Sequence, residues 1–91
     1  MNTTSIRLSQ VAPWNATLGN GYRTRWTLVA GRRFKVYAET LNGVWFVEEV
    51  DEDGECLHAG NGHDAADWTG SLGIAFNLTQ ARELIAATVN T

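Results

Sequence analysis

The chain has 91 residues, 44% of them hydrophobic, with nine aromatic side chains and a net charge of −3. This composition excludes a disordered chain and fits a single domain. The short apolar runs exclude a membrane-spanning helix, and the N-terminal residues lack the apolar core of a signal peptide. A single cysteine, Cys56, excludes an internal disulfide. We therefore expect a cytoplasmic protein in a reducing compartment.

The charges are divided into two blocks along the chain. Residues 1–38 carry a charge of +6 and no acid, residues 39–67 carry −9 and no Lys or Arg, and residues 68–91 are neutral. The negative total is not typical of a protein that coats nucleic acid, although a local basic patch can still bind phosphates.

The N-terminal segment, residues 1–22, is polar with a few apolar positions. Ile6, Leu8 and Val11 predict a short edge strand, which Pro13 ends. Trp14 is then expected to anchor the segment on the core.

Residues 23–59 predict a β-meander. Strands are expected at residues 23–30, 34–41, 44–51 and 55–59, since these runs are rich in β-branched and aromatic residues. Two-residue turns are expected between them at residues 31–32, 42–43 and 53–54. These turns set a register in which Trp26 pairs with Tyr37 and Tyr37 pairs with Glu48.

Residues 60–76 predict a Gly-rich loop, and residues 77–89 predict a helix. Asn77 or Thr79 is the expected N-cap, and an apolar stripe follows at helical spacing. The predicted fold is α+β: an antiparallel meander sheet of four or five strands, with one C-terminal helix packed on one face.

The predicted register gives the sheet two apolar faces. The first carries eight large apolar residues, among them Trp26, Tyr37 and Phe46, and we expect the helix to cover it. The second carries a patch at Phe34, Val36, Trp45 and Val47. This patch is either covered by the N-terminal segment or forms an interface with a protein partner or a second copy of the chain.

An acidic cluster from Glu48 to Glu55 surrounds the last predicted turn and is the main candidate site. In a purely structural interpretation, the cluster is a solvated turn that keeps the sheet edge from aggregating. In a functional interpretation, it is a surface that binds a basic partner. The candidate partner-binding residues are Trp45, Glu49, Asp51, Glu52, Asp53 and Glu55.

A basic cluster on the first predicted hairpin is the alternative site. Its cations alternate with Trp26 and Tyr37, which suits phosphate contacts and base stacking. Pairing with the acids of neighbouring strands is the competing interpretation. The candidate nucleic-acid-binding residues are Arg23, Arg25, Arg32, Arg33 and Lys35.

The segment from Cys56 to Asp67 holds metal-capable side chains that could bind an ion or support catalysis. The spacing of Cys56, His58 and His63 matches no standard zinc pattern, and the acids around Cys56 oppose formation of a thiolate. We therefore expect no metal, no cofactor, no catalytic residue and no enzyme activity.

The sequence as a whole predicts a small protein-binding module. Its size, acidity and lack of a catalytic motif resemble those of small proteins encoded by phages and mobile elements, many of which regulate or inhibit a larger host complex. A protein partner is expected, nucleic acid is the alternative, a homodimer is possible, and no membrane is involved. We expect the basic turn at Arg32 and the acidic turn at Asp53 to form opposite poles of the domain.

Overall fold

The computed structural model describes residues 5–19, 23–38, 43–57 and 71–90. Its sheet contains four antiparallel strands in the order β1-β2-β3-β4: β1 (Thr24–Val29), β2 (Arg32–Tyr37), β3 (Trp45–Val50) and β4 (Ser71–Ala75). One helix, α1 (Leu78–Val89), follows the sheet. This architecture confirms the predicted α+β fold. Within the described residues, no helix has the length and apolar character that crossing a membrane requires.

The fourth strand lies where a loop was predicted. Residues 71–75 pair with β3, whereas the described part of the segment 55–59 makes only a single bridge, between Cys56 and Val50. Gly73 has a φ of +126° beside a shift in the β3–β4 register. The glycine that suggested a loop therefore serves an irregularity within a strand.

The first turn consists of Ala30 and Gly31, with φ angles of 52° and 76°, rather than residues 31–32. Two positive φ angles are what a two-residue I′ turn requires. Because of this turn, Trp26 on β1 pairs with Lys35 on β2. In the neighbouring pair of strands, Tyr37 on β2 pairs with Phe46 on β3. Both registers differ from the predicted ones by two residues, so each side chain stays on its predicted face.

Helix α1 covers the second face of the sheet, and the prediction that it covers the first face is wrong. Phe34, Val36 and Val47 are fully buried in one core with Ala81 and Ile85 of the helix. The count of large apolar residues on the first face was misleading because Lys35 and Glu48 lie at its centre. A helix packed there would have to bury both charges.

The N-terminal segment passes around the edge of β1 and touches both faces. Ile6 belongs to the core beneath the helix. The backbone of Ser9 exchanges two hydrogen bonds with Trp26, of 3.0 and 2.7 Å. Ala12 then joins Trp26 and Val50 in a second cluster on the first face. The predicted edge strand is thus a single bridge at Ser9, which protects the edge of β1.

Helix α1 is fixed at both ends. The Asn77 side chain accepts a hydrogen bond of 2.8 Å from the Gln80 backbone N–H, which confirms Asn77 as the N-cap. In the last turn, Arg32 Nη1 donates to the carbonyl of Thr88 at 3.3 Å. A cation at this position satisfies a terminal carbonyl and ties the helix to the sheet.

Candidate functional site

The sheet surface opposite α1 presents aromatic side chains in two rows. We call it the helix-free face, because no helix of the described residues lies on it. One row runs across three strands through Trp26, Lys35 and Glu48, and the next through Tyr37, Phe46 and Ile74. The rings of Tyr37 and Phe46 stack with centroids 5.4 Å apart. Ile74 remains 53% exposed beside them. An apolar surface of this kind, mixed with aromatics, is typical of a binding surface.

One end of the helix-free face is built by the N-terminal segment. Trp14 packs edge-on against Trp26, with ring centroids 5.8 Å apart. Its Nε1 donates a 2.9 Å hydrogen bond to the carbonyl of Glu52, and the guanidinium of Arg33 lies 5.9 Å from its ring centroid. Trp14 therefore joins the N-terminal segment to the turn that follows β3.

That turn, residues 51–55, is here called the acidic turn. The Asp51 carboxylate accepts hydrogen bonds from the backbone N–H groups of Asp53 and Glu55, at 2.9 and 3.1 Å. This local pairing is the usual way in which an aspartate stabilises a turn. The side chains of Glu52, Asp53 and Glu55 are exposed. Asp51 therefore shapes the turn, and the other three acids supply its surface charge.

Gly54 closes the acidic turn against Trp26, and we predict that Gly54→Ala destabilises the fold by about 1–3 kcal/mol. Its φ is +84°, and an added Cβ would lie 3.0 Å from Cη2 of Trp26. Gly31→Ala is the matched control, because Gly31 has a φ of +76° with nothing within 4 Å. Urea unfolding should show the larger loss for Gly54→Ala, and equal losses would contradict the packing described here.

Two of the predicted partner-binding residues lie on the other face. Glu49 and Trp45 are on the side that α1 covers, and Trp45 starts β3 while the acidic turn follows its end. Trp45 and Val50 are five positions apart along the strand, about 17 Å. The ring of Trp45 instead faces the guanidinium of Arg25, which lies 5.8 Å from its centroid. The structure therefore does not bring Trp45 and Glu49 together with the acidic turn.

Glu49 forms a bidentate ion pair with Arg32. The two hydrogen bonds measure 2.9 and 2.6 Å, and the side chains are 17% and 39% exposed respectively. The hydrogen bonds that Arg32 donates to Glu49, opposed by desolvation and aided by the charge of Glu49, raise the pKa of Arg32 above its ordinary value. Because the pKa is raised, the charged arginine contributes its full stabilisation of the fold at any pH below its ordinary pKa. That stabilisation is lost only as the pH rises through the raised pKa of the folded state. The pair therefore stays charged on the arginine side throughout the physiological range.

The basic and acidic turns lie at the same end of the sheet, so the prediction of opposite poles is wrong. Arg33 pairs with Val50 across β2 and β3. It also lines a shallow pocket of about 200 Å³ together with Glu52 and Asp53. The reason is topological: two antiparallel strands, β2 and β3, lie between the first and third turns, so the chain runs away along one and returns along the other to the same end.

The predicted nucleic-acid-binding cations are engaged with the protein itself. Arg32 pairs with Glu49, Arg33 lies over Trp14, and Lys35 Nζ lies 4.9 Å from the centroid of Tyr37. Arg25 lies over an aromatic ring, and Arg23 also takes part in an interaction. These contacts favour a structural role for the basic cluster, as in the cross-strand interpretation.

In the stretches that the structure describes, no three His, Cys, Asp or Glu side chains come together as a metal site. Cys56 is half-buried beside β3. The other candidate ligands, His58, His63, Asp64 and Asp67, lie outside the described residues.

Protein-family models, curated proteins and solved structures were compared with the chain, and none matches it. What the surface can do therefore follows from its chemistry. Three exposed carboxylates stand beside the half-buried ring of Trp14 at one end of the helix-free face, a combination suited to holding a basic protein surface.

Proposed function

We propose that the chain is a small non-enzymatic protein-binding module that recognises a basic protein through the acidic turn and the adjacent aromatics. The carrying observation is that Glu52, Asp53 and Glu55 are exposed beside the half-buried ring of Trp14, which donates a hydrogen bond to the Glu52 carbonyl. Aromatic side chains are enriched at interfaces, and complementary charge raises the rate of encounter with the correct partner.

The same arrangement makes nucleic acid the weaker candidate. A phosphate backbone needs several cations that can leave their internal contacts. Here Arg32 holds Glu49 and the helix end, and Arg33 and Lys35 lie over aromatic rings. Binding through Arg23, Arg25, Arg32, Arg33 and Lys35 would therefore disturb packing that supports the sheet.

A binding module acts by occupying a surface of its partner. We extend the proposal to a regulator or inhibitor of a larger host complex, of the type that phages and mobile elements encode. The chain would act in the cytoplasm, where its single thiol, Cys56, stays reduced. The basic partner surface is one that normally holds nucleic acid, because such surfaces concentrate Lys and Arg.

A pull-down from a lysate of the native cells tests this proposal. The baits are the wild-type chain, the variant Glu52→Gln/Asp53→Asn/Glu55→Gln, and the control Glu83→Gln on the exposed side of α1. We expect a protein that wild type and control retain, that the triple variant loses, and that nuclease treatment leaves in place. Retention that nuclease abolishes would establish nucleic acid as the partner instead.

A further inference from the structure

Glu48 is a mostly buried acidic residue at the centre of the helix-free face. It is 7% exposed, and within the described part of the chain it forms neither an ion pair nor a side-chain hydrogen bond. Lys35 is its direct cross-strand neighbour, yet the two form no ion pair within 4.0 Å. The Lys35 ammonium lies instead 4.9 Å from the ring centroid of Tyr37 and 5.5 Å from that of Trp26.

The carboxylate oxygens of Glu48 are not among the fully buried polar atoms that lack a hydrogen-bond partner in the described part of the chain, so they reach the surface although most of the side chain is buried. A carboxylate with little hydration is stabilised by a cation that pairs with it. The adjacent residue shows that this sheet can pair a carboxylate well. Glu49 receives two hydrogen bonds from Arg32 on the opposite face. Glu48 has no equivalent, so its side chain is a site for a cation that the described residues do not supply.

The position of Glu48 also relates it to the acidic turn. Glu48 and Val50 share a face and lie two residues apart, about 7 Å, and the turn begins after Val50. An extended segment places alternate side chains on one side at about the same spacing. A partner segment with basic residues two to four positions apart can therefore reach Glu48 and the exposed acids of the turn together.

We propose that Glu48 receives a lysine or arginine side chain from a basic segment of the protein partner. The charged end pairs with the Glu48 carboxylate, while the aliphatic stem lies against the rings of Tyr37 and Phe46. A neighbouring cation of the same segment contacts the acidic turn. This inference rests on the proposed function and adds to it an anchor residue and the chemistry of its ligand.

Titration of the ¹⁵N-labelled chain with a hexa-arginine peptide, followed by NMR, tests the site. A hexa-citrulline peptide of the same shape but no charge is the control ligand. We expect the amides of Lys35, Phe46 and Glu48 to shift together with those of the acidic turn. Glu48→Gln should weaken peptide binding about 10-fold, since a charge-assisted pair is replaced by a neutral one. Glu83→Gln should leave binding unchanged.

Different results would overturn the Glu48 site and the proposed function. Binding that Glu48→Gln leaves unchanged but that the triple acidic-turn variant abolishes would overturn the Glu48 site and leave the proposed function standing. A wild-type chain that binds neither the hexa-arginine peptide nor any basic protein would overturn both the Glu48 site and the proposed function.

A second measurement separates binding from folding. Because Glu48→Gln removes an unpaired charge of a mostly buried side chain while keeping its shape, its urea midpoint should equal or exceed that of the wild type. A lower midpoint would show that Glu48 is needed inside the fold, and this outcome would overturn the inference.

Discussion

Replacing Phe34 by alanine is expected to lower the free energy of unfolding by about 3–5 kcal/mol. Phe34 has no exposed surface and lies between the sheet and α1, where the truncated side chain would leave a cavity. Phe46→Ala is the matched control on the helix-free face, where the half-buried ring stacks on Tyr37. We expect it to lose only about 1–2 kcal/mol, since stacking and partial burial are all that is removed.

Urea unfolding followed by tryptophan fluorescence gives both values. If Phe34→Ala is too unstable to measure, Ile85→Val probes the same core from the helix side, with an expected loss of about 0.5–1.5 kcal/mol. A Phe46→Ala variant that is less stable than Phe34→Ala would contradict the assignment of α1 to the second face.

Neutralising the acidic turn is expected to slow association with the protein partner by about 10- to 100-fold at low salt. In the variant Glu52→Gln/Asp53→Asn/Glu55→Gln, the three exposed carboxylates that attract a basic surface are gone, while the Asp51 hydrogen bonds that shape the turn remain. Rim charges act mainly on the association rate, so the dissociation rate should change much less.

Surface plasmon resonance with the captured partner measures these rates between 50 and 300 mM salt, a range over which screening grows strongly. Association of the wild type should slow steeply with salt, and that of the triple variant should stay nearly flat. Glu83→Gln, which also removes an exposed acid, should behave like the wild type. Equal salt dependence for all three chains would show that the acidic turn does not guide binding.

The elements that local patterns determine could be predicted from the sequence. Strands β1, β2 and β3 follow from alternation and β-branched residues between turn signals, and α1 follows from its apolar stripe and the Asn77 cap. Because these signals act over a few residues, the fold class could be derived without long-range information.

The features that depend on distant contacts were not predictable in this way. β4 is a five-residue strand containing Gly73, and its pairing depends on β3, more than twenty residues earlier. The face chosen by α1 depended on the cost of burying Lys35 and Glu48, which a count of apolar residues does not contain. Local propensity determines neither the pairing of β4 nor the face that α1 covers.

In the candidate site too, some features follow from the local sequence and others depend on distant contacts. The exposed acids of the turn were evident from composition, whereas the contribution of Trp14 depends on the path of the N-terminal segment around β1. Glu48 was counted in the acidic cluster, but its separate position on the sheet was not recognised. The predicted register already placed it opposite Tyr37, on the face that also carries Lys35 and the large apolar residues, and a charge in such a place requires a partner.

Carboxyl labelling read by mass spectrometry is the most direct test of the binding surface. The chain is modified with a carbodiimide and a small amine, alone and in complex with the captured protein partner. If the acidic turn holds the partner, Glu52, Asp53 and Glu55 become protected in the complex, while Glu83 on α1 is labelled equally in both samples. Unchanged labelling of the acidic turn, or protection of Glu83 alone, would place the partner elsewhere and contradict the account.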